Sequence, residues 1–260
     1  MLMRVSFRDV ATALLDLVMP RRCVVCDRRL ALREKYICIG CLADFPRTFY
    51  SVMPRNLMSD RFNELIEKDL NTKNSQARPA GYSYATALFF YSAYTGYKFI
   101  TRKLKYHGEL GLGMYFSKLL GEEMASSEVF ADVDVVVPVP LHWTRRLGRG
   151  YNQAEVIAKV ISDCLGARII TNMLRRRVRT RSQARLNLES RKQNVASAFS
   201  VPAKYIRMLS SGRMNMPHHV LLVDDVFTTG ATLHEAYKAL RTVLPSSVRI
   251  SIATLAVVGR

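Results

Sequence analysis

The chain has no apolar run long enough to cross a bilayer. Its most apolar early stretch, Val10 to Met19, carries Asp16 and falls short of the roughly 20 residues a spanning helix needs. No small-residue cleavage site follows it, so no secretory leader is expected and the cytoplasm is the expected compartment. Acid is scarce: 21 Asp and Glu stand against 39 Lys and Arg, for a net charge of +18. Such a field favours polyanions, whether a diphosphate, a nucleic acid or an anionic membrane, and composition does not rank them. Only one tryptophan, Trp143, is present. What the chain does have is 260 residues with 49% hydrophobic content, enough for one α/β domain plus a smaller appended module. Phe7, Val10, Ala11, Leu14, Leu15 and Val18 predict an amphipathic helix over residues 1–20, packed on the body or, alternatively, lying on a membrane surface.

The most informative run is VLLVDDVFTTGATL, residues 220–233. Val220 to Val223 read as a buried parallel strand. Asp224 and Asp225 stand where that strand ends, and Val226 and Phe227 lead into the loop Thr228-Thr229-Gly230-Ala231-Thr232. Leu233, Ala236, Leu240 and Val243 then fall at helical spacing. Ligands of open α/β sheets sit at the carboxyl ends of strands, and the first amides of a helix attract anions. The Thr hydroxyls add donors, and Gly230 lets the backbone come close. Paired carboxylates cannot favour a phosphate, but they suit vicinal ribose hydroxyls. The unit therefore predicts a ligand with a sugar diol on one side and a phosphate on the other. The competing reading is a buried strand and a capped helix with no ligand.

This run resembles the phosphoribosyl-diphosphate (PRPP) motif of type I phosphoribosyltransferases. In that family the acids hold the ribose hydroxyls and the Thr/Gly loop wraps the 5-phosphate.

Cys23-Val-Val-Cys26 and Cys38-Ile-Gly-Cys41 are two CxxC pairs separated by eleven residues. Four thiolates complete the tetrahedral shell of a structural zinc site, and Arg21, Arg22, Arg28 and Arg29 would favour the thiolate form. A disulfide pair and a redox CxxC are the alternatives. The expected compartment disfavours the first, and the doubled motif disfavours the second. Cys164 reads as a small buried hydrophobe in a helix.

Residues 47–80 are expected to be irregular or a linker, with a hint of a short helix at Phe62, Leu65, Ile66 and Leu70. Ala87 to Tyr91 suits a strand. Tyr97, Ile100 and Leu104 then mark a helix with Lys103 and Lys105 near its end. Residues 110–125 predict another helix. Val133 to Val137 is a second buried strand, expected to stop at Pro138-Val-Pro140. A basic loop follows, in which Arg145, Arg146 and Arg149 approach the start of a helix over 151–165 and suit a pyrophosphate. The alternative is an exposed basic turn. Residues 168–174 and 198–201 read as strands three and four. Between them, Arg175 to Lys192 holds eight basic residues and one acid, a length and charge that suit a lid over a polyphosphate or a solvated basic surface. Residues 248–255 read as the last strand.

The order of cysteine module, VPVPLH with RGYNQAE, RTRSQARLNLESRKQN and VLLVDDVFTTGATL resembles the ComF family, phosphoribosyltransferase-like proteins linked to bacterial DNA uptake. Gln183, Leu186, Arg191, Asn194 and Phe199 match that family's spaced residues. The prolines that often precede the middle of this segment are missing at Thr180 to Gln183. The resemblance implies a type I phosphoribosyltransferase-like parallel sheet flanked by helices over 81–260, with a zinc-finger module at 21–46. It implies PRPP with magnesium in the pocket. Asp224 and Asp225 would orient the ribose, Arg145, Arg146 and Arg149 would clamp the diphosphate, and Arg179, Arg181 and Arg191 would close from the lid. It further implies single-stranded DNA and a competence ATPase or helicase as partners, and a cytoplasmic location with peripheral contact at the inner membrane.

No segment declares an acceptor. Three functions therefore compete: a DNA-uptake factor with a PRPP-type pocket, a true phosphoribosyltransferase, and a non-catalytic PRPP-sensing regulator. Salt-sensitive DNA binding, magnesium-dependent diphosphate release and PRPP binding without turnover would mark them respectively.

Overall fold

The computed structural model describes residues 15–16, 18–72, 81–106, 109–141, 150–176 and 198–259. Five parallel strands form the main sheet in the order β1-β7-β6-β2-β3. They are β1 (Ala85–Tyr91), β2 (Val135–Pro138), β3 (Arg168–Ile169), β6 (His219–Phe227) and β7 (Arg249–Val258). The helices are α1 (Ile39–Ala43), α2 (Leu57–Thr72), α3 (Lys98–Tyr106), α4 (Leu110–Ala125), α5 (Gln153–Leu165), α6 (Ala203–Ser210) and α7 (Ala231–Arg241). Among the described residues none is long and apolar enough to cross a membrane.

Side-chain alternation along the central strands builds two cores. Val220 and Leu222 of β6, Ile250 and Ile252 of β7, and Val135 and Val137 of β2 enter one cluster. There they meet Phe62 of α2, Tyr205 of α6, and Leu233 and Leu240 of α7. The intervening Leu221, Val223, Ala253, Leu255 and Val136 enter the other, with Leu104 of α3, Phe116 of α4 and Ile157 of α5. Both faces are apolar because parallel sheets are covered on both sides. Helices α4 and α5 approach closely at Gly121, where a Cβ would lie 2.8 Å from Cys164 Sγ. Cys164 is half-buried there and serves as packing.

Several expectations need correction. Residues 57–72, inside the stretch expected to be irregular, form a 16-residue helix whose Phe62 packs edge-on to Tyr237 at 5.7 Å. Pairing of β2 does not stop before its prolines. Pro138 pairs with Val223, and the Val139 amide donates to the Val223 carbonyl at 2.8 Å. Proline lacks only its own donor, and here that donor is not the one the ladder uses. The third strand is shorter than 168–174. The fourth, β5 (Phe199–Ser200), pairs antiparallel with β4 (Arg175–Arg176) as a separate two-stranded sheet.

At the amino end of the sheet, His219 is fully buried between Asp132 Oδ1, 2.6 Å from Nδ1, and Ser251 Oγ, 2.7 Å from Nε2. This has the outline of a Ser-His-Asp triad. Ser251 is also fully buried, and no substrate reaches it, so the array is structural. The Ser251 hydroxyl accepts from the Tyr84 amide, tying β1 to β7.

Burial pushes the His219 imidazole below its ordinary value, against the pull of Asp132, while Arg249 adds to the burial effect and Asp134 opposes it. A folded pKa below the unfolded one means the unfolded chain takes up a proton first as pH falls below about 6.5. Stability should therefore drop between pH 7.5 and 5.5, and His219→Gln should shrink that drop in thermal melts while lowering the melting temperature overall. An unchanged pH slope in the variant would contradict this account.

Candidate functional site

Helix α5 follows β2 and packs on one face of the sheet, while α7 follows the adjacent β6 and packs on the other. The chain thus departs in opposite directions from neighbouring strands, which opens a crevice at their carboxyl ends. A cleft of about 290 Å³ lies there. Its walls are the loop Val139-Pro140-Leu141 after β2, the start of α5, the acid pair of β6, Thr228 and Thr232 of the following loop, Lys105 of α3 and Arg176 of β4.

Asp224 and Asp225 both face this cleft. The Asp225 amide donates to Asp224 Oδ1 at 2.8 Å, and Lys105 Nζ lies 2.8 Å from Asp225 Oδ2. Burial and the neighbouring Asp225 charge push the Asp224 carboxyl up to about 7, while Lys105 and Arg176 pull it back. Asp224 is thus poised between holding a proton and carrying a charge near neutral pH.

The loop after β6 ends at Gly230, which precedes α7 with φ +80° and no side-chain cap on the helix. A Cβ there would lie 2.8 Å from the Phe227 ring and 3.0 Å from Leu65. Glycine is required both by the backbone angle and by the space. The Thr229 hydroxyl accepts from the Ala231 amide at 3.4 Å. The loop encloses a second, small hollow of about 20 Å³ beside Asp224, lined by Thr228, Gly230, Ala231 and Thr232. Uncapped amides, hydroxyls and the positive end of a helix make this a place for an anion.

The opposite wall is held by the start of α5. Asn152 caps the helix, accepting from the Ala154 amide and donating to the Val139 carbonyl at 3.0 Å. Tyr151 Oη and Gln153 Nε2 both donate to the Leu104 carbonyl, next to Lys105. The Tyr-Asn-Gln run therefore fixes the β2 loop and the end of α3 around one cleft.

Residues 155–258 match the phosphoribosyl transferase domain family. The chain is 38% identical over 109 residues to Competence protein F of Haemophilus influenzae, covering 42% of this chain and 44% of that protein. It is 31% identical over 110 residues to DNA utilization protein YhgH of Escherichia coli, covering 41% and 43%. With Competence protein ComFC of Bacillus subtilis it shares 34% identity over 117 residues, 44% of this chain and 41% of that one. These matches, to competence and DNA utilization proteins and to a phosphoribosyl transferase domain, support the ComF family. The chain spans less than half the length of each of these relatives.

The chain carries its four cysteines as one cluster. The sulfurs of Cys23, Cys26, Cys38 and Cys41 lie within 4.8 Å of one another, and those of Cys26 and Cys38 are 3.7 Å apart. A tetrahedron of sulfurs about 2.3 Å from a central zinc has edges of about 3.8 Å, so the donor set fits that ion. Burial opposes ionisation of Cys23, but the amides of Cys26, Cys38 and Val25 outweigh it and bring its thiol down to about 7. Burial and the neighbouring cysteines push Cys41 up.

Of the residues expected at the site, Asp224, Asp225, Val226, Thr228 and Thr232 line the main cleft, and Gly230 and Ala231 line the small hollow. Phe227 is buried, and its ring forms the floor under Gly230. Thr229 is exposed at the loop crest. Arg145, Arg146, Arg149, Arg179, Arg181 and Arg191 lie outside the described residues. Two charged cleft residues, Lys105 and Arg176, are not among the expected site residues, nor are Asn152 and Gln153. Lys105 reads in the sequence as a helix-terminal cation, and nothing local ties it to an acid pair about 120 positions later.

The Asp224 carboxyl titrates above its ordinary 3.8 in the folded protein. Its contribution to stability therefore falls as pH rises towards 7 and is lost above that. Asp224→Asn is neutral at every pH and should raise the melting temperature at pH 8, with the gain vanishing near pH 4. Thermal melts at the two pH values decide this, and a variant less stable at pH 8 would refute it.

Proposed function

We propose that this chain is a ComF-type competence factor whose cleft binds PRPP together with magnesium. The observation that carries the reading is the meeting, in one switch-point cleft, of two carboxylates, an anion-binding helix start and two cations. PRPP has the matching three parts. Its ribose hydroxyls donate to Asp224 and Asp225, its 5-phosphate takes the hollow at Thr228 to Thr232, and its diphosphate takes the cationic side. Magnesium would enter with the diphosphate as part of the ligand and offset its charge. The expected zinc fits the four-cysteine cluster and is structural, since four protein ligands leave no open position.

Single-stranded DNA is the polyanion we propose for the basic surface. Among the described residues, a groove of about 500 Å³ beside α6 bears Lys204, Arg207 and Arg213 and offers cations to such a strand.

Calorimetric titration with PRPP and magnesium tests the pocket. Micromolar binding is expected in the native sequence, and the Asp224→Ala, Asp225→Ala double variant should lose it while its circular dichroism stays unchanged. Equal affinity in the double variant would sink the pocket assignment. Release of diphosphate upon addition of candidate acceptors then separates turnover from sensing.

Removing the metal with a chelator should lower the melting temperature of the whole chain in one cooperative transition. The cysteine module shares a core with the sheet: Cys23, Val24, Ile37, Cys38 and Phe45 pack in one cluster with Phe89, Tyr97 and Phe116. A separate low-temperature transition that leaves the main one in place would contradict this.

A further inference from the structure

Lys105 stands out because it comes from outside the matched domain. It sits near the end of α3, well before residue 155, where the family match begins. Yet its ammonium group lies 2.8 Å from Asp225 Oδ2, inside the cleft, and its side chain is largely screened from solvent. The residue before it is held from two directions, because Tyr151 Oη and Gln153 Nε2 both donate to the Leu104 carbonyl. Two hydrogen bonds onto one carbonyl are an unusual investment for a helix end that had only to pack. They fix where Lys105 begins its reach.

The chemistry of the cleft says what that reach is for. A ligand whose diol binds the acid pair and whose phosphate fills the hollow at α7 must point its remaining anionic arm towards the β2 loop. The described cations on that side are Lys105 and Arg176. The Arg176 guanidinium lies over the Phe199 ring, 5.4 Å from its centroid, a cation–π contact that restrains it. Lys105 is a compact charge on a long stem and can pass from a carboxylate to a phosphate without a change in backbone. Exchanging one ion pair for another keeps the ammonium matched, and the ribose hydroxyls would then donate to the Asp225 carboxylate it leaves.

We infer that Lys105, which pairs with Asp225 Oδ2, can swing to receive the diphosphate arm of the ligand, and that Tyr151 and Gln153 are positioning residues acting through it. This rests on the PRPP reading of the cleft and adds to it a residue role.

Calorimetry with three probes tests it: PRPP with magnesium, inorganic diphosphate with magnesium, and ribose 5-phosphate. Lys105→Met should weaken PRPP and diphosphate by about tenfold or more and leave ribose 5-phosphate within about twofold. Lys105→Arg should recover most of the loss. Gln153→Leu should weaken the same two ligands, and should add less than about twofold when combined with Lys105→Met, since both act through one contact. PRPP affinity within about twofold of the native value in Lys105→Met would overturn the inference while leaving the cleft reading intact. So would an equal loss across all three ligands, which would mark a structural role. A native protein that binds none of the three would remove the PRPP reading, and this inference with it.

Discussion

Two carboxylates on consecutive residues at the end of a buried strand set the terms for everything around them. Their mutual repulsion in a partly desolvated place costs several kcal/mol unless something offsets it. The strand cannot remove them, because Asp224 still pairs with Thr254 in the ladder with β7 and Asp225 follows directly. Part of the offset is local, the Asp225 amide turned onto Asp224, and part comes from elsewhere in the chain: Lys105 from α3 and the field of Arg176. A fold selected for stability alone would replace the pair with apolar residues. Retaining it, with cations imported across the topology to tolerate it, supports the proposed site for a polyhydroxylated anion.

The same alternation that fills the two cores also opens the crevice. Odd and even positions of β6 feed opposite faces, so the helices after β2 and β6 can depart to different sides. The cleft is therefore a consequence of strand order rather than of any special loop. The Thr/Gly loop only specialises it. Gly230 permits a turn tight enough to set the start of α7 against the acids, while Phe227 and Leu65 fill the space a side chain would have taken. That contact gives α2 its part: it lies on α7 and backs the anion loop, which explains why residues 57–72 fold as a full helix and not as a linker.

What could be read from the sequence divides along a physical line. Local units were legible: the buried strand and its acids, the loop and its glycine, the cysteine spacing, and the helix over 110–125. Each is specified by neighbours within a dozen residues, through periodicity or turn chemistry. Contacts between remote segments were not legible. Lys105 carries no mark of its pairing with Asp225, and the Tyr-Asn-Gln run gives no sign that it grips the end of α3. The antiparallel pair β4–β5 was hidden for the same reason. A two-residue strand is defined by its partner, not by its own pattern. The error at Pro138 was of another kind, since a general rule about lost donors was applied without knowing which of the strand's groups the ladder uses.

These long-range contacts also connect the cysteine module to the cleft. Tyr97, one residue before α3, donates its hydroxyl to the Cys41 carbonyl at 2.9 Å and packs edge-on to Phe45 at 5.5 Å. At Gly96 the backbone passes so close to the module that a Cβ would lie 2.1 Å from the Val25 carbonyl oxygen. The module thus braces the amino end of α3, and Tyr151 and Gln153 clamp its carboxyl end. A helix of nine residues held at both ends has little freedom to drift, which is what delivering one ammonium group to one carboxylate demands. The four cysteines lie far in sequence from the acids they help to arrange, and their influence on the cleft passes through packing, not through chemistry of their own. Segment 21–46 is too small to keep its shape by apolar burial alone. Held in shape by its cysteine cluster, it provides a rigid support to which the rest of the site is referred.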